Sequence, residues 1–338
     1  MSRARLSVLS ALLCVATAAR AEPKHVLRLA AVAPEGTAWA QELKRFAADV
    51  AAASNGEVAI KLYLSAIAGT ELEVEERIRR GQLDGTVGGL VCQRLSPSMR
   101  ALRMLGEFES VGEANHVLQR LNGTFADEFQ RSGYALLATS VLGPDVFFTR
   151  APARSLGELR RLRLWRWEGD QVVIAMSKEM GLPAVALPVE QAARAFDDGK
   201  LDGFVVTSAA ALAFQLLPRA PNLLDVRLGY LAGCLVATSK SFDKLSPEHQ
   251  QAVRAAAVQA GVRFTEIGVK TDEQLFGGVF QKKGVRLQQP SDALRSELFG
   301  AARAARDKLE EQLVPASLRA RVGTLVADYR AEHRERVK

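Results

Sequence analysis

The apolar positions of this chain switch between two periods, and the switches mark out its elements. His25 to Val32 reads as a strand, closed by Pro34-Glu35-Gly36. Trp39, Leu43, Phe46 and Val50 then recur at helical spacing until Ser54-Asn55-Gly56 stops the helix. Val58 to Leu64 alternates as a second strand. A helix follows from Thr70, whose partner Glu73 three positions on makes a capping box, and it ends at Arg80.

That helix runs into the phrase Gly81-Gln-Leu-Asp-Gly85, and Gly199-Lys-Leu-Asp-Gly203 repeats it 118 positions later. In both places a helix ends, a glycine leaves it through positive φ, and an apolar strand begins. Asp84 and Asp202 are read as turn residues. Two copies in one context predict two similar α/β lobes with mostly parallel sheets. Further strands are predicted at Ala135–Ser140, Asp145–Arg150, Leu162–Trp167, Val185–Leu187, Phe204–Thr207 and Leu228–Thr238, with helices over Asp170–Met180 and Glu190–Asp198. Ser246-Pro247 opens a long helix that the pattern extends to about Lys282. A short strand at Val285–Leu287 and helices from Asp292 and Pro315 complete the chain.

Composition narrows the class. With 48% apolar residues the chain can bury sizeable cores, so extensive disorder is excluded. Arg3 and Arg5, the apolar run Leu6–Ala18 and Ala19-Arg20-Ala21 form the three parts of a secretory signal, with cleavage before Glu22. Removing Arg3, Arg5 and Arg20 takes the net charge from +7 to +4, too small and scattered for a nucleic-acid surface. Cys92 and Cys234 are then the remaining cysteines; an oxidising compartment permits their pairing, and two buried thiols fit equally well. The four histidines fall in no metal-ligand spacing, and no dinucleotide, phosphate or nucleophile motif is present, so no cofactor and no enzymatic chemistry are implied.

One stretch stands out: Leu164-Trp-Arg-Trp-Glu-Gly-Asp170, which holds two of the three tryptophans. On a strand, Trp165 and Trp167 share one face and Leu164 and Arg166 the other. Glu168 sits where a carboxylate favours the start of the next helix. Thr207 and Ser208, like Glu35 after the first strand, lie at carboxyl ends of strands, where α/β ligand sites open. Trp39 fits the buried stripe of its own helix.

In order, "APEGTAWAQELKRFAADVAAASNGEVAIKLYLSAIAGTELEVEERIRRGQLDG", "SLGELRRLRLWRWEGD", "FDDGKLDGFVVTS" and "SFDKLSPEHQQAV" resemble the DctP-type solute-binding proteins of TRAP transporters over nearly the whole mature chain. The resemblance implies a two-lobed, periplasmic-binding-protein-like α/β fold with a long helix spanning both lobes. Its segments would be a signal peptide at 1–21, one lobe from 22–142 plus about 232–272, the other from 143–231 plus about 273–312, and a C-terminal helix at 313–338. It implies a periplasmic protein that traps a small molecule by hinge closure and delivers it to membrane subunits of the transporter.

The chain departs from the family where it matters. Trp165 stands in the slot of the ligand-pairing arginine, Asp145 replaces a second basic position, and Val206 or Thr207 falls where an asparagine often stands. With Trp165 inward and Phe147 and Phe148 beside it, the cleft would take an apolar or amphipathic ligand. A similar arginine-less branch, associated with a helical-repeat partner protein, implies the same. A one-residue slip or bulge would instead bring Arg166 inward and make the protein an organic-acid binder. A ligand-sensing module for a signalling receptor is the reading from another class.

Overall fold

The two Gly-x-Leu-Asp-Gly phrases fold alike, and the sheet grows outward from them. A computed structural model of the chain describes residues 22–335, so the signal-peptide segment lies outside the described residues. Gly81 and Gly199 leave their helices at φ 71° and 69°. Asp84 then accepts from the backbone N and Nε of Arg28 at 2.9 and 2.7 Å, and Asp202 accepts from the same two groups of Arg163 at 2.9 and 2.8 Å. Gly85 and Gly203 follow because there is no room for more: a Cβ would stand 2.1 Å from the Val236 carbonyl in one case and 2.5 Å from that of Phe148 in the other.

The strands are β1 (His25–Ala31), β2 (Val58–Tyr63), β3 (Gly85–Gly88), β4 (Tyr134–Thr149), β5 (Leu164–Trp167), β6 (Ala184–Leu187), β7 (Gly203–Thr207), β8 (Asn222–Thr238) and β9 (Arg286–Gln288). They form one sheet in the order β2-β1-β3-β8-β4-β7-β5-β6, with β9 beside β8. The mostly parallel sheet expected from the helix–strand alternation is corrected to a mixed one. β4 and β8 are long and antiparallel, and each also pairs antiparallel to the neighbouring half-sheet. Sequence reading broke β4 in two, leaving Val141 to Pro144 between the predicted strands Ala135–Ser140 and Asp145–Arg150. The chain instead runs straight through, a register shift between Val141 and Gly143 absorbing the irregularity.

The two halves flank this pair. Leu29, Phe46, Leu235 and Phe264 pack in the β1 half. Phe148, Trp165, Phe196, Phe204 and Phe280 pack in the β5 half. A third and larger cluster holds Phe108, Phe125, Phe129 and Tyr230 together with the helices that cover the other side. The long helix, Pro247–Gln274, lies across β4 and the helix Ala38–Ala53. It stops short of the expected Lys282: a π turn at Leu275–Val279, with Gly278 at φ 132°, redirects the chain so that Phe280 enters the second core. Cys92 and Cys234 form a disulfide with Cα atoms 5.8 Å apart, tying the helix Leu90–Leu95 to β8 and resolving the pairing that the sequence left open.

The Asp202 clasp gives the fold an acid-sensitive joint. Its hydrogen bonds from Arg163 hold the carboxyl below the ordinary aspartate value of 3.8. A depressed carboxyl stabilises the fold above the unfolded-state value and loses that contribution as pH falls through the folded one. Asp202→Asn should therefore cost ~0.5–1 kcal/mol near neutrality, since the pair is partly exposed, and less at about pH 3, below the ordinary aspartate value. Urea unfolding at the two pH values checks this.

Candidate functional site

Where β1, β3, β5 and β7 end, the two halves of the sheet face one another across a cavity. It leaves about 120 Å³ for the centres of water-sized molecules, room for a small organic ligand rather than a single water. Most of the wall is apolar. Leu43, Leu90 and Phe264 come from helices of the first half, Leu142 and Leu231 from the crossing strands, and Val206 and Phe214 from the second half.

A charged cluster forms one side. Arg103, the last residue of a 3-10 turn at Pro97–Arg103, is buried. Its Nη2 donates to Asp145 Oδ2 at 2.7 Å and to Asp170 Oδ2 at 2.6 Å, and its Nε donates to Asp170 Oδ2 at 2.8 Å. Burial alone would lower this guanidinium, but the two carboxylates outweigh burial and hold it above its ordinary value. Asp170 also caps the helix Gln171–Glu179, accepting from the Val173 amide.

Arg166 stands beside this cluster and is only 3% exposed. Its guanidinium lies 5.9 Å from the Phe147 ring centre, and both terminal nitrogens are buried without a hydrogen-bond partner. Burial brings it down to about 10, against the opposing pull of Asp145 and Asp170, so it remains charged at neutral pH. Arg103 Nη1 and the Trp39 indole nitrogen are likewise buried and unpartnered. Glu71, on the opposite half, accepts from the Val91 and Gly89 amides at 2.6 and 3.3 Å. Its carboxyl is raised by burial in spite of those bonds.

The register of β5 corrects the sequence reading. Trp165 does not face the cavity; it is fully buried among Phe148, Phe196 and Phe204, and its indole N–H donates to the Leu187 carbonyl at 2.9 Å. Arg166, on the other face, lines the cavity. No bulge was needed, because a strand buried on both faces carries no polar face to mark its inner side. Trp167, at the strand end, packs on Trp165 and Phe214 at 5.7 and 5.6 Å and also lines the cavity. Asp145, Val206, Thr207 and Trp39 line it too.

The remaining candidates sit elsewhere. Phe147 is core beneath Arg166, and Phe148 is core of the second half. Ser208 is buried and donates to Asp272 on the long helix at 2.6 Å. Glu35 is exposed and paired with Lys44 at 2.7 Å. Glu168 faces a smaller neighbouring pocket with Arg94 and Glu190. Sequence reasoning missed Arg103, because nothing local singles it out: its partners lie 42 and 67 positions away.

The placement of Trp165 makes a mild substitution informative. Trp165→Phe should lower stability by ~1–2 kcal/mol through the lost bond and lost volume, and leave ligand affinity unchanged. Denaturant midpoints and ligand titration on one preparation separate the two effects.

Residues 29–312 match the family DctP, bacterial extracellular solute-binding protein, family 7. The 2,3-diketo-L-gulonate-binding periplasmic protein YiaO of Escherichia coli (strain K12) is 25% identical over 238 residues, 67% of this chain and 70% of that protein. A TRAP periplasmic solute-binding protein of Haemophilus influenzae RdAW with bound L-gulonate is similar in structure, with TM-score 0.82, 18% identity, and coverage of 90% of this chain and 99% of that one. The sugar acid binding protein DctPAm of Advenella mimigardefordensis, in complex with galactonate, gives TM-score 0.84 at 16% identity, covering 91% and 99%.

Proposed function

The chain belongs to the DctP family of bacterial extracellular solute-binding proteins, and on that premise we propose that it captures an organic acid between its lobes and passes it to the membrane subunits of a TRAP-type transporter. The observation that carries this reading is Arg166: a buried guanidinium with two unpartnered nitrogens beside a cavity of ligand size. A charge held in that condition is unfavourable unless something pairs with it, and a carboxylate is the group whose geometry fits its fork. The related proteins solved with gulonate and galactonate hold acids, which supports the same ligand head.

The apolar expectation survives only for the ligand's body. Leu43, Leu90, Leu142, Leu231 and Phe264 reward apolar burial at about 25 cal/mol per Å². A wholly apolar, lipid-like ligand would leave Arg166 unpaired. With Arg166 at the wall, the arginine-less branch and its helical-repeat partner lose their ground. We place the hinge in the β4–β8 pair at the Val141/Gly143 register shift, close to the boundaries near residues 142 and 232 read from the sequence. The apolar segment before Glu22 supports export to the periplasm, and among the described residues no helix is long and apolar enough to cross a membrane.

A thermal-shift panel of hexanoate, phenylacetate, gulonate and galactonate, with hexanol and toluene as uncharged apolar compounds, tests the reading. At a hundredfold excess over Kd, one acid should stabilise the wild type by about 2.7 kcal/mol, several degrees, and Arg166→Met by no more than about 0.4 kcal/mol. Stabilisation by uncharged apolar compounds alone would contradict it.

A further inference from the structure

Among the described residues, five ionisable side chains line the cavity: Arg103 and Arg166 against Glu71, Asp145 and Asp170. Resting on the anion-binding reading above, we infer that the Arg103–Asp145–Asp170 cluster is a charge filter, which admits a ligand with one carboxylate and an apolar body and rejects dicarboxylates. Arg103 bonds both aspartates, so the three together carry one excess negative charge, and Arg166 balances it. The four groups are thus neutral before any ligand enters.

One carboxylate is accommodated because donors are in surplus. The terminal nitrogens of Arg166 and Arg103 Nη1 are buried and unpartnered, and the cluster's carboxylates are already bonded to Arg103. Among the described residues a second carboxylate finds no further cation on the wall. The other ionisable group on the wall is Glu71, an acid whose oxygens already accept from the Gly89 and Val91 amides. The surrounding leucines and Phe264 offer no donor, and the unpartnered Trp39 indole N–H is a neutral one that brings no charge to balance a second carboxylate. Ionised groups left unpaired in such surroundings are strongly disfavoured, so the second charge decides admission. Arg103 is then a positioning residue for selectivity: it holds the two acids where they oppose an extra negative charge.

Titration calorimetry with hexanoate and adipate, equal in chain length and differing by one carboxylate, tests the filter. The wild type should bind hexanoate at least about tenfold more tightly than adipate. Asp145→Asn removes one negative charge with little change of shape while Arg103 keeps Asp170, and adipate should gain about tenfold relative to hexanoate. If that variant does not fold, Asp170→Asn, which retains an acceptor at its helix cap, should shift the ratio in the same direction. Adipate binding the wild type as tightly as hexanoate, or a ratio unmoved by the variants, overturns the filter and leaves the anion-binding reading standing. If neither acid binds the wild type while another acid of the thermal-shift panel does, the filter fails and the anion-binding reading stands; if no acid binds, or Arg166→Met binds hexanoate unchanged, the anion-binding reading fails and the filter with it.

Discussion

Arg166→Met should weaken binding of the cognate acid about a hundredfold or more while the protein still folds. A hydrogen bond to a charged group contributes ~1.5–3 kcal/mol, and a guanidinium fork can offer two, so a loss of ~3 kcal/mol or more is expected. Stability should move the other way. The folded-state value of Arg166 is lowered by burial to about 10 from 12.5. A base lowered on folding is a net cost at every pH below its folded value, so the arginine destabilises the ligand-free protein at neutrality. The ligand-free variant should unfold at the same or a higher temperature than the wild type. Reduced affinity with unreduced stability marks a residue kept for binding.

Arg103→Met should do the reverse to the fold. Removing it strands two buried carboxylates that share one cation through three hydrogen bonds. Breaking a buried ion pair from one side costs ~3–5 kcal/mol, and here two acids lose their partner at once. Unfolding should come about 5–7 °C earlier. Arg103→Lys, which keeps the charge but lacks the planar fork, should fall between the two. Denaturant unfolding of the three proteins side by side is the check. Two arginines on one cavity wall thus have opposite signatures: one holds the wall together, and the other is held by it at a cost.

How far the sequence reaches can be seen in the same residues. The Thr70–Glu73 capping box forms as read. So does the Ser246-Pro247 helix start, and so do the paired Gly-x-Leu-Asp-Gly exits. Each is a local pattern with a local cause. Alternation along Leu164-Trp-Arg-Trp167 likewise establishes that Trp165 and Arg166 point to opposite sides, but not which side holds the cavity. That depends on the partner strands: Trp165 stands opposite Phe204 of β7 and Val185 of β6, and the aromatic core on that face claims the indole. A family slot counted along the chain cannot see this packing. Arg103 was illegible for a different reason. A 3-10 turn has no long apolar period, and the residue's role exists only once β4 and the helix Gln171–Glu179 bring Asp145 and Asp170 to it.

The account rests on Arg166 pairing with an organic anion, and the direct measurement is mass spectrometry of small molecules released by denaturing the purified protein. The wild type and Trp165→Phe should both release the same organic acid, and Arg166→Met should release none. A neutral apolar compound retained equally by all three would contradict the account.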